Sequence, residues 1–83
     1  MKAFQIISKL TPMQSQRLRR VARQYYDEGT STDHPLPQGA FVRIGRNLYT
    51  ALDNTVNIHQ VAQHAMTVAG RTFDYQVIET ERR

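Results

Sequence analysis

The stretch Thr11-Pro12-Met13-Gln14 marks the start of a helix, and it constrains the fold more than any other part of the chain. Thr11 is of a type that caps helices, Pro12 suits the first helical position, and Gln14 can return a hydrogen bond to the cap. The apolar residues that follow recur at helical spacing, at Leu18, Val21, Ala22 and Tyr25. We therefore predict a helix over Thr11 to Glu28, with Gly29 as its C-terminal stop.

A second helical pattern begins near Asn57 and ends at Gly70. Asn57 and Gln60 have the spacing of a capping box, although Thr55 is an alternative cap. The apolar stripe of this helix comprises Ile58, Val61, Ala62, Ala65 and Ala69. We therefore predict a second helix that ends at Gly70.

Strand patterns lie before, between and after the two helices. β-branched and aromatic residues alternate with polar ones over Met1 to Lys9, Phe41 to Ile44, Leu48 to Leu52, and Phe73 to Ile78. Gly45-Arg46-Asn47 separates the second and third patterns, and both Gly and Asn tolerate positive φ, so we expect a tight hairpin there.

The resulting order is β-α-β-β-α-β in a single domain, residues 1–83. With right-handed crossovers this order gives an α+β fold of the ferredoxin-like, split β-α-β type: a four-stranded antiparallel sheet with two helices on one face. We also expect Leu18, Val21, Ile6, Val61 and Phe73 to share one core between the sheet and the helices.

Alternation along the strands assigns side chains to the two faces of this sheet. We expect the helix-facing set to be Phe4, Ile6, Val42, Ile44, Leu48, Leu52, Phe73, Tyr75 and Val77. The open face would then carry Gln5, Ile7, Phe41, Arg43, Tyr49, Ala51, Gln76 and Ile78. Because that face is not strongly polar, we expect it to contact a partner or to form a homodimer, with incidental exposure as the alternative.

Four of the eleven basic residues are arginines of the first helix: Arg17, Arg19, Arg20 and Arg23. Three of these arginines lie opposite the apolar stripe, and Arg17 lies at the edge of the stripe. Such a face can contact phosphates or an acidic protein surface. The alternative is a solvated helix face without a ligand.

Few kinds of catalytic chemistry fit the composition. The chain has no cysteine, which excludes disulfides, thiolate catalysis and cysteine-bound zinc. His59 and His64 are five residues apart, so they lack the spacing of a zinc-binding histidine pair. Asp33 and His34 are neighbours in a proline-containing connection, but no nucleophile motif accompanies them. We expect no catalytic residue, no metal and no cofactor, and an enzyme built on His34 or His59 is the least favoured alternative.

The net charge of +4 and the pI of about 10.0 favour acidic partners. We therefore expect a non-enzymatic macromolecule-binding module. It would be a small inhibitor or adaptor, of the size seen among accessory proteins of phages and mobile elements. It would dock an acidic protein surface through the arginine-rich helix, the open sheet face, or both. We also expect a cytoplasmic location and no association with a membrane.

The alternative function is nucleic-acid binding through the same basic residues. The contacts to phosphates would come from Arg17, Arg19, Arg20, Arg23, Arg43 and Arg46. Phe41 or Tyr49 would stack on bases, as aromatic residues do on the sheets of RNA-binding modules.

Overall fold

The computed structural model describes residues 1–29, 38–53 and 55–80. The strands are β1 (Lys2–Ile6), β2 (Phe41–Gly45), β3 (Leu48–Ala51) and β4 (Tyr75–Glu79), and the helices are α1 (Pro12–Gly29) and α2 (Ile58–Ala69). The predicted order β-α-β-β-α-β is confirmed. Most of the connection between α1 and β2, including Asp33, His34, Pro35 and Pro37, lies outside the described residues.

The strands form one sheet with the order β2-β3-β1-β4, and every neighbouring pair is antiparallel. β1 lies in the middle, where Phe4 is paired with Tyr49 on one side and with Val77 on the other. Both helices pack on one face of this sheet, so the fold is α+β and ferredoxin-like, as predicted. β2 and β4 are the two edge strands.

Reciprocal hydrogen bonds at Thr11 begin α1. The Thr11 Oγ1 accepts from the Gln14 N–H at 3.2 Å, and the Thr11 N–H donates to Gln14 Oε1 at 3.0 Å. This is the predicted capping box, and it fixes the position of α1 along the chain.

Asn57 caps α2, since its Oδ1 accepts from the His59 N–H at 2.8 Å. Thr55, the alternative cap, instead donates its N–H and hydroxyl to Asp53 Oδ1. Gly70 ends α2 in the left-handed conformation, with φ at 79°. Neither helix, within the residues that the structure describes, is long and apolar enough to cross a bilayer.

The core lies between the sheet and the two helices. Its largest fully buried side chains are Phe4, Phe41, Leu18 and Val61. The predicted shared core is confirmed: Ile6 and Phe73 are also buried, and Val21 packs against the cluster as a half-buried residue.

The predicted faces are correct for β1 and β4 and wrong for β2 and β3. Phe41 and Tyr49 point toward the helices and are 0% and 2% exposed, while Val42 and Leu48 occupy the open face and are half-buried. Arg43 is paired with Tyr49, so it also projects on the helix side of the sheet. Both faces of β2 carry apolar residues, so the alternation of side chains does not determine which face is buried. The buried face is the one that carries the larger ring, because Phe41 contacts α1 and α2.

We expect Leu18→Ala to lower the free energy of unfolding by about 2–5 kcal/mol, because it leaves a cavity under α1. The measurement is the urea midpoint. Met13→Ala is the control, since Met13 lies on the same helix and is 70% exposed. A Leu18→Ala midpoint equal to that of the control would contradict this packing.

Candidate anion-binding groove

A basic groove runs between α1 and the edge strand β2. It has two adjoining hollows, which we call the outer and the inner hollow. The outer hollow encloses about 700 Å³ and is lined by Gln16, Arg19, Arg20, Ala22, Arg23, Tyr26, Asp27, Val42 and Arg43. The inner hollow encloses about 410 Å³ and is lined by Ser8, Lys9, Leu10, Ser15, Arg19, Arg43, Arg46, Asn47 and Tyr49.

Arg19 and Arg43 line both hollows and therefore join them into one groove. Arg19 comes from the exposed face of α1, one residue after the buried Leu18. Arg43 comes from β2 and reaches the same place because Phe41, two residues earlier, is buried on the helix side. Helix register and strand facing together bring these two residues to the lining of the same hollows.

Arg46 reaches the inner hollow from the turn between β2 and β3. Asn47, the next residue, has φ at 55°, in the left-handed region expected of this turn. Its carbonyl accepts from the Ile6 N–H at 2.9 Å, and the Arg46 carbonyl accepts from Gln5 Nε2 at 3.5 Å. The turn is thereby held against the end of β1.

Arg17 lies apart from the other predicted arginines and lines neither hollow. A Cβ atom placed on Gly70 would be 3.5 Å from the Arg17 Nη1, so this guanidinium lies at the C-terminal end of α2. A positive charge is favourable there, because the helix dipole leaves partial negative charge at that end. We therefore assign Arg17 to the support of α2 rather than to the groove.

Phe41 and Tyr49 are not available to stack on bases, contrary to the sequence-based prediction. Phe41 contacts Tyr25 edge-to-face with ring centroids 5.4 Å apart, and its centroid is 5.6 Å from that of Tyr49. Tyr49 also stacks on Phe4 at 5.8 Å. Both rings are internal, and the exposed aromatic residue of the groove is Tyr26, 56% exposed.

The groove carries a large excess of positive charge. Within residues 1–29, 38–53 and 55–80, the ion pair found is that of the N-terminus with Glu79, 3.4 Å apart and away from the groove. Among the described residues, Asp27 is the one carboxylate that lines the outer hollow, and no carboxylate lines the inner hollow. Among the described residues that line the groove, cationic side chains therefore outnumber carboxylates.

The two described histidines lie at separate places, as the spacing predicted. The His64 Nε2 is 2.7 Å from the Tyr25 hydroxyl, a contact that joins α2 to α1. The His59 Nδ1 is 2.8 Å from the Tyr75 hydroxyl, which joins the start of α2 to β4. No group of three metal-ligating side chains occurs among the described residues, and the Asp33–His34 pair falls outside them.

Burial raises the pKa of Tyr49 above 10.0, while the nearby Arg43 and Arg19 act in the opposite direction. Burial also raises the pKa of Tyr25, and the negative charge of Glu28 adds to this effect. The influence of both arginines on Tyr49 indicates that its phenol lies within electrostatic reach of the two guanidinium groups that join the hollows.

Sequence reasoning missed the inward position of Arg43 and the contributions of Lys9, Tyr26 and Tyr49 to the groove. The fourfold arginine cluster of α1 was visible in the sequence. The meeting of α1 with β2 was not, because it depends on which face of β2 is buried.

No protein-family model, curated protein or solved structure matches this chain. The functional argument therefore depends on the geometry and charge of the groove.

Stability should fall as the pH rises above about 10. A tyrosine whose pKa is raised by folding favours the folded state while it is neutral, and that contribution is lost as pH rises through the raised pKa. In the Tyr49→Phe variant, the urea midpoint should therefore fall less steeply with pH than in the wild type. The midpoint is measured by circular dichroism from about pH 8 to about pH 11. Tyr26→Phe, at an exposed ring, is the control. An identical slope in Tyr49→Phe and wild type would contradict the assignment.

Proposed function

We propose that this chain is a non-enzymatic binding module, an adaptor or inhibitor that docks an acidic protein surface in the basic groove. The observation that carries the proposal is the convergence of Arg19 and Arg43, from different elements, on two adjoining hollows. Arginines at an interface form charge-assisted, often bidentate hydrogen bonds with carboxylates. Their concentration in a concave surface gives a partner several such contacts at once.

The position of the groove favours a protein partner. β2 is an edge strand, and its residues Val42 and Arg43 line the outer hollow. An extended segment of a partner can add to such an edge through main-chain hydrogen bonds. Its alternate side chains would then face the groove, where acidic ones would meet the arginines.

Nucleic-acid binding is the second candidate, favoured by the exposed ring of Tyr26 beside Arg20 and Arg23. A phosphate backbone could follow the row of cations while Tyr26 stacks on one base. With Phe41 and Tyr49 buried, recognition would depend mainly on phosphates and would show little sequence preference.

We also propose a homodimer through the open sheet face and a cytoplasmic location. The apolar residues of that face include Val42, Leu48 and Ile78, which are half-buried in the single chain. Light scattering over a range of concentrations tests the dimer. A monomer at every concentration would exclude it.

The docking proposal is tested by removing equal charge inside and outside the groove. The groove variant is Arg19→Gln with Arg43→Gln, and the matched control is Arg17→Gln with Arg71→Gln, whose residues line neither hollow. Partners are captured from cell extract with and without nuclease. The affinity of the purified partner is then measured for the wild type and both variants.

We expect capture to survive nuclease, and we expect the groove variant, which lacks two arginines, to bind about a hundredfold or more weakly. Each charge-assisted contact removed costs about 1.5–3 kcal/mol. The control should bind like the wild type. Equal binding by the groove variant would refute the proposal. Loss of capture with nuclease would instead favour nucleic-acid binding. A plot of the logarithm of the binding constant for duplex DNA against the logarithm of the salt concentration should then have a slope of roughly −0.9 per phosphate contacted.

A further inference from the structure

The inner hollow differs from the outer hollow because a buried tyrosine, Tyr49, lines it. Tyr49 is 2% exposed, and its ring is fixed between Phe4 and Phe41. Its hydroxyl forms no hydrogen bond with the described residues. The oxygen is not fully enclosed by the protein either, because no fully buried polar side-chain atom among the described residues lacks a partner. Tyr49 also lines the inner hollow, and a phenol hydroxyl without an internal acceptor is able to donate to a molecule bound there.

Four of the residues that line the inner hollow together with Tyr49 are cationic: Lys9, Arg19, Arg43 and Arg46. No carboxylate lines the hollow among the described residues. Bringing several like charges to one cavity is unfavourable unless an anion neutralises them. These four cationic residues come from four parts of the chain: α1, β2, the β2–β3 turn and the segment after β1.

The number and type of these donors favour a doubly charged anion over a carboxylate. A carboxylate has two oxygens and is satisfied by one arginine fork, whereas a phosphate monoester offers three terminal oxygens and up to two charges. The three arginines of the hollow and the phenol hydroxyl offer enough donors to satisfy all three oxygens. A volume of about 410 Å³ also leaves room for the group that carries the phosphate.

We propose that the inner hollow binds a phosphate monoester, seated on the Tyr49 hydroxyl and held by Arg19, Arg43 and Arg46. This inference rests on the proposed function, because the phosphate would be that of a phosphorylated side chain on the same protein partner. The edge strand β2 favours this source over a nucleic-acid terminus, since an extended peptide paired with β2 would pass beside Arg43.

The test begins with small probes at constant ionic strength. Inorganic phosphate, phenyl phosphate, dimethyl phosphate and acetate are titrated into the folded chain, and the amide shifts of residues around the hollow are followed by NMR. We expect phosphate and phenyl phosphate to bind at the inner hollow, and we expect the diester and acetate to bind at least several-fold more weakly. Equal affinity for acetate and phenyl phosphate would overturn the proposal.

Two matched variants isolate the hydroxyl. Tyr49→Phe keeps the buried ring and should weaken phenyl phosphate binding by about tenfold, the effect of one hydrogen bond to a charged group. Tyr26→Phe removes a hydroxyl from the outer hollow and should have no effect. Unchanged affinity in Tyr49→Phe would show that the hydroxyl does not contact the phosphate. The urea midpoint of each variant confirms that the fold is retained.

The source of the phosphate is tested with the captured partner. Treatment of the extract with a protein phosphatase should abolish capture by the wild-type chain. Capture that survives the phosphatase but is lost in the Arg19→Gln, Arg43→Gln variant would refute the phosphate and leave the docking proposal standing. Tighter binding of a 5′-phosphorylated oligonucleotide than of phenyl phosphate, with no gain for its unphosphorylated form, would overturn the protein source.

Discussion

The burial of Phe41 beneath the helices is the constraint on which the rest of this structure depends. Its ring contacts Tyr25 of α1 and lies beside His64 of α2, so it anchors the edge strand to both helices. Because side chains alternate along a strand, an inward Phe41 puts Arg43 on the same side of the sheet. The groove exists because this one ring lies inside.

Helix α1 supplies the other wall of the groove, and its register is set by local chemistry. The capping box at Thr11 and Gln14 fixes the first turn, and the burial of Leu18 fixes the rotation of the helix about its axis. With both fixed, Arg19 must project toward β2. The contact between Tyr25 and His64, at 2.7 Å, then holds α1 against α2.

The same arrangement explains why the groove is a candidate for binding rather than for stability. Among the described lining residues of the groove, cationic side chains outnumber carboxylates, and the repulsion between them opposes folding. Burial of apolar side chains, among them the fully buried Phe4, Phe41 and Val61, acts against this repulsion. An anionic partner would relieve the repulsion, so part of the free energy of binding is present in the free chain as unneutralised charge. Arg17 illustrates the contrast, because the C-terminal end of α2 already provides it with a favourable environment.

The sequence by itself determined the elements and their order, because these depend on contacts within a few residues. The cap at Thr11, the cap at Asn57, the stop at Gly70 and the positive φ of Asn47 are local features, and each was predicted. The arginine face of α1 was also visible, since helical spacing alone separates Arg19, Arg20 and Arg23 from Leu18.

Tertiary structure decided which face of β2 and β3 is buried. Phe41 and Val42 are both apolar, and period-two alternation cannot rank two apolar faces. The buried face is selected by the space beneath α1 and α2, because the rings of Phe41 and Tyr49 fill it. That choice placed Arg43 in the lining of the same hollows as Arg19 and put Tyr49 in the lining of the inner hollow, so the candidate site followed from packing between residues distant in the sequence.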